Sequence, residues 1–310
     1  VLTLSQRLNT MAHLHKLCDH RRERAWRRAP WPVGGRVGRC WARVLTIAKL
    51  GKWSVSYYVD TAREATAAAR DDRARNGGLG EYYSESETRL PTWLVAGEDA
   101  QSAAEQVGLT RVEALGGDAD LDVVTRWLDD GVAPCGEVGR AFREGSVHGF
   151  DLTFCAPKSM SLLRALGDDV TDKAVADAHA YAIGEAMKYL AEHAGYTRVH
   201  NPHTGRKDLV RLPGIVAAAF QHETSRAGDP HLHTHVIVPN RQARADGRLV
   251  SLDGTSLFHE ARAAGMIYQA SLRSHLINSI ALEWGPIDPD TGMADVAGVD
   301  RATIKVFSQR

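Results

Sequence analysis

The sequence has few cysteines and no long apolar run. Its four cysteines form no CxxC pair, which argues against a disulfide scaffold or a cysteine zinc site and favours a reducing compartment. No run of about 18 apolar residues occurs, so we expect no membrane insertion. A secretory signal is excluded because the N-terminal region lacks an apolar centre. No GxxxxGK[ST] loop is present, so this chain contains no P-loop ATPase.

Charge is balanced overall but unevenly distributed. The chain has 38 Lys/Arg and 38 Asp/Glu. Residues 1–43 hold 10 of the basic residues and 2 of the acidic ones, which leaves 28 against 36 in the remainder. If the main body binds nucleic acid, it therefore does so through a local basic patch, because its bulk charge is unfavourable.

The first 43 residues differ from the rest in composition and in hydrophobic periodicity. They include RRERAWRRAPWPVGGRVGR, an arginine-rich stretch with weak periodicity, which predicts a poorly ordered N-terminal extension, with a nucleic-acid-binding arm as the alternative. From Val44 the sequence reads as strands and helices. We expect residues 44–310 to form one functional domain.

Strands and long helices are interleaved along this domain. Leu152 and Phe154 alternate with polar residues, as in a half-buried strand, and a helix is predicted just after Pro157. Residues 97–147 read as helical, and residues 172–194 as the clearest helix, with Tyr181 on its alanine-rich face. Two further strands, GIVAAAF and HLHTHVIVPN, flank a polar connection with Gly and Pro and suggest a hairpin. The mixture favours an α+β fold over a doubly wound one.

Histidines recur at alternate positions in HLHTHVIVPN. Side chains two apart face the same side of a strand, so His231, His233 and His235 project together. An antiparallel hairpin would place His222 opposite or diagonal to His231 and His233. Imidazole suits Zn, Ni, Co, Cu or Mn, and three protein ligands leave the open position typical of a catalytic metal. A hydrogen-bonded or surface cluster is the alternative. Structural roles are expected for the isolated histidines, namely His179, His193 and His259.

Two tyrosine pairs lie upstream of the histidines in polar surroundings, at Tyr57/Tyr58 and Tyr82/Tyr83. One ring of each pair is expected to be structural. A phenol can also act as a nucleophile that forms a covalent intermediate, and a metal that polarises a phosphate oxygen makes attack on a phosphodiester feasible.

Three motifs together resemble one known family. FQHETSRAGDPHLHTHVIVPN, GFDLTFCAPKSMSLL and the tyrosine pairs are similar to signatures of conjugative relaxases of the MobF (TrwC/TraI) type, in the HUH endonuclease superfamily. The resemblance runs from about Val44 to Arg310. It implies a palm-like two-layer sandwich, in which a central antiparallel sheet carries the histidines and helices pack behind it.

The resemblance also implies roles for individual residues. One divalent metal ion (Mg, Mn, Zn or Ni) would be held by His222, His233 and His235, and Asp151 would act as general base or orient a metal-bound imidazole. His231 falls where the family has another polar residue and is not counted as a ligand. The remaining residues implied are the nucleophile Tyr57 with its neighbour Tyr58, the second-transfer candidates Tyr82 and Tyr83, and the phosphate-binding candidates Lys158 and Arg226. Lys158 and Arg226 have plain surface charge as the alternative.

The implied reaction is nicking and rejoining of one DNA strand at a plasmid origin of transfer, through a 5′-phosphotyrosyl intermediate. The implied partners are single-stranded or hairpin DNA, accessory relaxosome proteins and a coupling ATPase, in the bacterial cytoplasm. The chain stops at VFSQR, within a segment that continues toward a helicase region in relatives, so we expect a domain of a larger protein or a truncated product that lacks that region.

Two features depart from the family pattern. The tyrosine pairs are 25 residues apart, further than usual, and Cys155 replaces a serine. Three alternatives therefore stay open. They are a rolling-circle replication initiator, a degenerate origin-binding module without nicking activity, and a zinc-stabilised structural domain.

Overall fold

A computed structural model describes residues 44–52, 54, 90–225 and 229–308. The strands in this part of the chain are Leu45–Leu50 (β1), Thr92–Ala96 (β2), Gly149–Cys155 (β3), Tyr196–His200 (β4), Lys207–Arg211 (β5), Ile215–Thr224 (β6), Pro230–Pro239 (β7), Gln242–Ala243 (β8) and Leu249–Val250 (β9). The helices are Ala100–Val107 (α1), Arg111–Ala114 (α2), Leu121–Asp130 (α3), Lys158–Leu166 (α4), Asp169–Ala194 (α5), Gly254–Ile280 (α6) and Arg301–Val306 (α7).

Five of the strands form one sheet in the order β1-β3-β7-β6-β2, and every neighbouring pair is antiparallel. β4 pairs with β5 and β8 with β9 in two small separate ribbons. The predicted α+β fold with a central antiparallel sheet is confirmed, and so is the predicted hairpin, which is β6 and β7. Among the described helices, none is long and apolar enough to cross a membrane.

The two long helices, α5 and α6, cover one face of the sheet. They pack on each other and on alternate residues of the central strands, such as Leu152, Phe154 and Val236, all of which are fully buried. Small residues on α5, including Ala178 and Ala182, let the helices approach closely. This layer is the larger of the two main cores.

Shorter helices cover part of the opposite face. Trp127 of α3 is fully buried against this face, together with Ile237 of β7 and Phe220 of β6. The indole N–H of Trp127 donates to the carbonyl of Arg241 at 2.8 Å, which satisfies its one polar group. The histidines of β6 and β7 continue this same face beyond the cover of α1 and α3, where they are half-buried.

Some predicted elements differ from the observed ones. The helix predicted from residue 172 begins at Asp169, because the Asp168 carboxylate accepts a hydrogen bond from the Thr171 N–H and caps the first turn. Tyr181 does not share the buried alanine face; it is 48% exposed, and its ring contacts that of His275 at a tilt of 39°. The expectation that residues 97–147 are helical was partly wrong, since helix ends at Asp130. The sequence analysis did not identify α6. The division of the chain into residues 1–43 and 44–310 stays a prediction, because residues 1–43 lie outside the described part.

Candidate metal centre

Strand register brings three histidines together on one face of the sheet. His222 of β6 lies directly opposite His233 of β7, and His235 lies opposite Thr153 of β3. Residues directly opposite each other in a sheet share a face. The imidazoles of His222, His233 and His235 therefore project from the middle of the sheet, beside the cover formed by α1 and α3.

The spacing of the three rings suits a shared cation. Ring centroids are 5.2 Å apart for His222 and His233, 5.5 Å for His222 and His235, and 5.2 Å for His233 and His235. Imidazoles bonded to one ion at about 2.1 Å in tetrahedral geometry would have centroids roughly 5 Å apart. The planes of His222 and His233 are only 25° apart, and as they stand no three His, Cys, Asp or Glu side chains in the described ranges are arranged to hold a metal ion. The centroid spacing suits a cation, and the rings would have to turn for their nitrogens to converge on it.

Hydrogen bonds determine which nitrogen carries the proton in two of the rings. His235 Nδ1 lies 2.9 and 3.0 Å from the two carboxylate oxygens of Asp151, which is buried. His233 Nδ1 lies 2.8 Å from the carbonyl oxygen of His231. Both partners can only accept, so each Nδ1 carries a proton. Metal-binding histidines in proteins are held in this way.

Burial keeps two of these imidazoles neutral. It lowers the pKa of His222 to about 4, with His235 lowering it further and Asp151 opposing the shift. It lowers the pKa of His233 to about 2, assisted mainly by the neighbouring His231. Both rings therefore carry no charge at neutral pH, which is the form that binds a metal.

Thr153 belongs to the same cluster, although the sequence analysis assigned it no role. Its hydroxyl lies 3.1 Å from Asp151 Oδ1 and 3.1 Å from His235 Nδ1. The hydroxyl donates to the carboxylate, so Asp151 accepts from both Thr153 and His235. The alternation of Asp151 and Thr153 along β3 was the available signal, because residues two apart share a face.

Three of the other histidines lie outside the triangle. His231 flanks it, with its ring centroid 4.8 Å from that of His233. His179 is fully buried on the opposite side of the sheet, where its nitrogens contact Tyr268 Oη at 2.7 Å and Thr234 Oγ1 at 2.9 Å. Burial lowers the pKa of His179 to about 3, with Arg164 adding to the shift. His259 is exposed on α6 beside Glu260.

The remaining candidates are placed only in part. The ammonium of Lys158 donates to the carbonyl of Pro230, and burial lowers its pKa while Asp229 opposes the shift. It thus lies near the start of β7, bonded within the protein. Five candidates fall outside the described residues, namely Tyr57, Tyr58, Tyr82, Tyr83 and Arg226. Their positions relative to the histidines stay predictions.

Known proteins are similar to this chain in sequence and in fold. The profile of the family described as TrwC relaxase matches residues 53–310. The Multifunctional conjugation protein TraI of Escherichia coli is 33% identical over 244 residues, and TraI of strain K12 is 30% identical over the same length. Each alignment covers 76% of this chain but 13% of the relative, so the chain spans about an eighth of their length.

Solved structures agree with these matches. The conjugative relaxase TrwC in complex with a mutant OriT DNA is 27% identical, with a TM-score of 0.60 over 86% of this chain and 79% of that one. A copper-bound TrwC complex with OriT DNA is 26% identical, with a TM-score of 0.65 over 85% of this chain and 79% of that one.

Proposed function

This chain belongs to the TrwC relaxase family, and on that premise we propose that it nicks and rejoins one strand of DNA at a plasmid origin of transfer. TrwC has been solved with OriT DNA, including a 27-mer that comprises the recognition hairpin and the cleavage site. The proposed substrate is therefore hairpin DNA that continues into a single strand. Plasmid DNA lies in the bacterial cytoplasm, which is the proposed compartment.

One observation carries the proposal: three imidazoles lie on one face of the sheet with ring centroids 5.2 to 5.5 Å apart, and a buried carboxylate orients one of them. His222, His233 and His235 would hold one divalent cation, consistent with the metal-bound and copper-bound TrwC structures. When bound, the cation supplies Lewis acidity at a non-bridging phosphate oxygen. Asp151 orients the His235 imidazole by accepting a hydrogen bond from its Nδ1–H.

In the proposed covalent step, Tyr57 is the nucleophile. Its phenolic oxygen forms a bond to phosphorus while the bond from phosphorus to the 3′ oxygen breaks. The phenolic proton passes to Asp151 or to water, and the departing 3′ oxygen gains a proton, so proton uptake and release balance. The hydrogen bonds that Asp151 accepts from His235 and Thr153 favour its orienting role. Attack by the 3′ hydroxyl on the phosphotyrosyl ester reverses the step and rejoins the strand.

The test is covalent capture of DNA. The purified chain is incubated with Mn²⁺ and a labelled single-stranded oligonucleotide from the transfer origin of its own plasmid, and a denaturing gel then detects the protein–DNA adduct. We expect an adduct with the wild type and with Tyr83→Phe, and at least a hundredfold less with Tyr57→Phe. Mass spectrometry of the adduct identifies the linked side chain.

The outcomes separate the competing functions. An undiminished adduct with Tyr57→Phe would remove Tyr57 as the nucleophile. Binding of the hairpin without cleavage, in Mn²⁺ or Mg²⁺, would support an origin-binding module, and cleavage only at a replication origin would support a rolling-circle initiator. Chelation separates a catalytic from a structural metal. We expect it to abolish cleavage and leave the circular dichroism of the folded chain in place, whereas loss of the fold would indicate a zinc-stabilised structural domain.

A further inference from the structure

We infer that one face of helix α4 positions the metal-site histidines, through Ser161 and Arg164, by bracing β6 and β7 where their pairing becomes irregular. These two residues are three apart on α4 and therefore share a face of the helix. Both are buried. The inference rests on the proposed function only in taking the histidine triangle as a metal site.

The irregularity lies directly beside two of the proposed ligands. His222 pairs with His233, but the next pair is Thr224 with Pro230, so two steps along β6 correspond to three along β7. An extra residue of this kind interrupts the ladder and bends the strand, and such bulges are common beside active sites, where they redirect a side chain. His222 and His233 are the last regular pair before this irregularity, so the β6–β7 ladder supports them on one side only.

Ser161 secures the β7 side of the bulge. The N–H of Leu232 donates to Ser161 Oγ at 2.9 Å, and the carbonyl of Leu232 accepts from the Ala156 N–H at 3.1 Å. Leu232 precedes His233 and points to the helix layer, where it is fully buried. A backbone N–H buried without a partner is costly, and α4 supplies one on the β3 edge of β7, where β3 has already ended at Cys155.

Arg164 secures the β6 side. Its Nη2 lies 2.7 Å from Glu223 Oε1, and its Nε lies 2.8 Å from Asp172 Oδ1 at the start of α5. The side chains of Arg164 and Glu223 are 3% and 5% exposed, so this ion pair is almost fully removed from water. Glu223 follows His222 and points to the opposite face of the sheet.

Stability is a poor explanation for this ion pair. Desolvating two charges offsets most of their attraction, and apolar replacements of similar volume often stabilise a protein as well or better. In addition, Arg164 Nη1 is buried and has no hydrogen-bond partner among the described residues. The pair does, however, join α4 and α5 to the residue that follows His222. Glu223 and Leu232 are each adjacent to a ligand, so anchoring them on the helix side orients His222 and His233 on the other. Ser161 and Arg164 are thus positioning residues.

Two serines on α4 provide a matched test. Ser159 is also fully buried, and its hydroxyl accepts from the N–H of Val296 at 3.0 Å and donates to Asp295 Oδ1 at 2.7 Å, on the side of the helix away from the bulge. Ser159→Ala should therefore cost at least as much stability as Ser161→Ala. We expect only Ser161→Ala to weaken Zn²⁺ binding, by about tenfold or more, as is typical when support of a metal ligand is lost. Calorimetric titration of the metal-free full chain measures the dissociation constant, and thermal unfolding measures the stability.

The ion pair is tested by Glu223→Gln and by the double variant Arg164→Met/Glu223→Leu. Replacing both partners leaves no unpaired buried charge, so the double variant should fold. We expect each variant to bind Zn²⁺ at least about tenfold more weakly than the wild type. If folded Ser161→Ala and the folded double variant both bind Zn²⁺ with wild-type affinity, this inference is refuted, and the proposed metal site is unaffected. Should Ser161→Ala fail to fold, the double variant decides.

The proposed metal site has its own control in His222→Ala. Tight Zn²⁺ binding by the wild type that His222→Ala abolishes supports the site itself. If the wild type binds no Zn²⁺, or if His222→Ala binds it as well as the wild type, the proposed metal site and the positioning role of α4 are both refuted. Failure of the positioning role is therefore distinguishable from failure of the proposed function.

Discussion

Asp151 and Thr153 are two residues apart on β3, on the face of the sheet that carries the histidines. Asp151 accepts from His235 at 2.9 Å and from Thr153 at 3.1 Å. A buried carboxylate needs such donors, because an ionised group without them is strongly destabilised by the loss of water. The short side chain of Thr153 thus supports the carboxylate, which in turn orients an imidazole. At the scale of the residue, Thr153 stabilises the Asp151 carboxylate, and Asp151 orients the His235 ring through its Nδ1.

At the same scale, Asp151→Asn should weaken the metal site without unfolding the protein. The amide keeps the volume of the carboxylate and one acceptor oxygen, but it loses the charge that strengthens the hydrogen bond to His235. We expect the dissociation constant for Zn²⁺ to rise by about 10- to 100-fold, as measured by calorimetric titration. Asp208→Asn, an exposed change on β5, is the control. Unchanged affinity in Asp151→Asn would refute the orienting role.

At the scale of the element, the two long helices show how neighbouring structure sets the effect of a glycine. Gly184 of α5 is exposed, and a Cβ added there would meet nothing within 4 Å. Gly265 of α6 faces β1, and a Cβ there would lie 3.3 Å from Leu45 Cβ and 3.4 Å from Leu45 N. Alanine is intrinsically better than glycine in both helices, so the contact with β1 distinguishes the two sites.

Gly184→Ala should therefore raise the free energy of unfolding by about 0.5–1 kcal/mol. Gly265→Ala should be at least about 1 kcal/mol less favourable than Gly184→Ala, because Leu45 must shift to accept the methyl group. Urea unfolding of both variants beside the wild type measures the difference. Equal stabilisation by the two substitutions would show that Leu45 of β1 shifts to accept the methyl group without a cost in stability.

At the scale of the whole molecule, buried neutral histidines make the fold sensitive to acid. His179 lies between the sheet and the long helices, and burial lowers its pKa from 6.5 to about 3. As the pH falls below about 6.5, the unfolded chain binds a proton at this residue before the folded chain does, so stability present at neutral pH is lost. At pH 5 the loss from His179 alone is about 2 kcal/mol. His222 and His233 shift in the same direction.

Urea unfolding of the metal-free chain at pH 7 and pH 5 measures this effect. We expect a lower midpoint at pH 5, and a smaller drop between the two pH values in His179→Gln, whose side chain does not titrate. The comparison uses the change with pH rather than absolute stability, because the substitution also alters the hydrogen bonds to Tyr268 and Thr234. An equal drop in the variant would place the acid sensitivity elsewhere.

Local pattern was enough to predict three strands of the five-stranded sheet and the face of β7 on which the histidines lie. The alternation in HLHTHVIVPN predicted a strand with its histidines on one face, and the connection before it predicted the hairpin that places His222 opposite His233. Period-two alternation has this power because it follows from the geometry of a single strand. α6 was not identified, and the helix predicted between Asp130 and residue 147 does not form.

What the sequence determined by itself was the type of fold, the faces of the strands and the imidazole chemistry of the proposed site. Tertiary structure alone decided the bulge beside His222 and the support that Ser161 and Arg164 supply from α4. Ser161 lies 71 residues from Leu232 along the chain, and contacts over such separations have no local period. They depend on how separate elements pack, which is why they became visible only in the folded molecule.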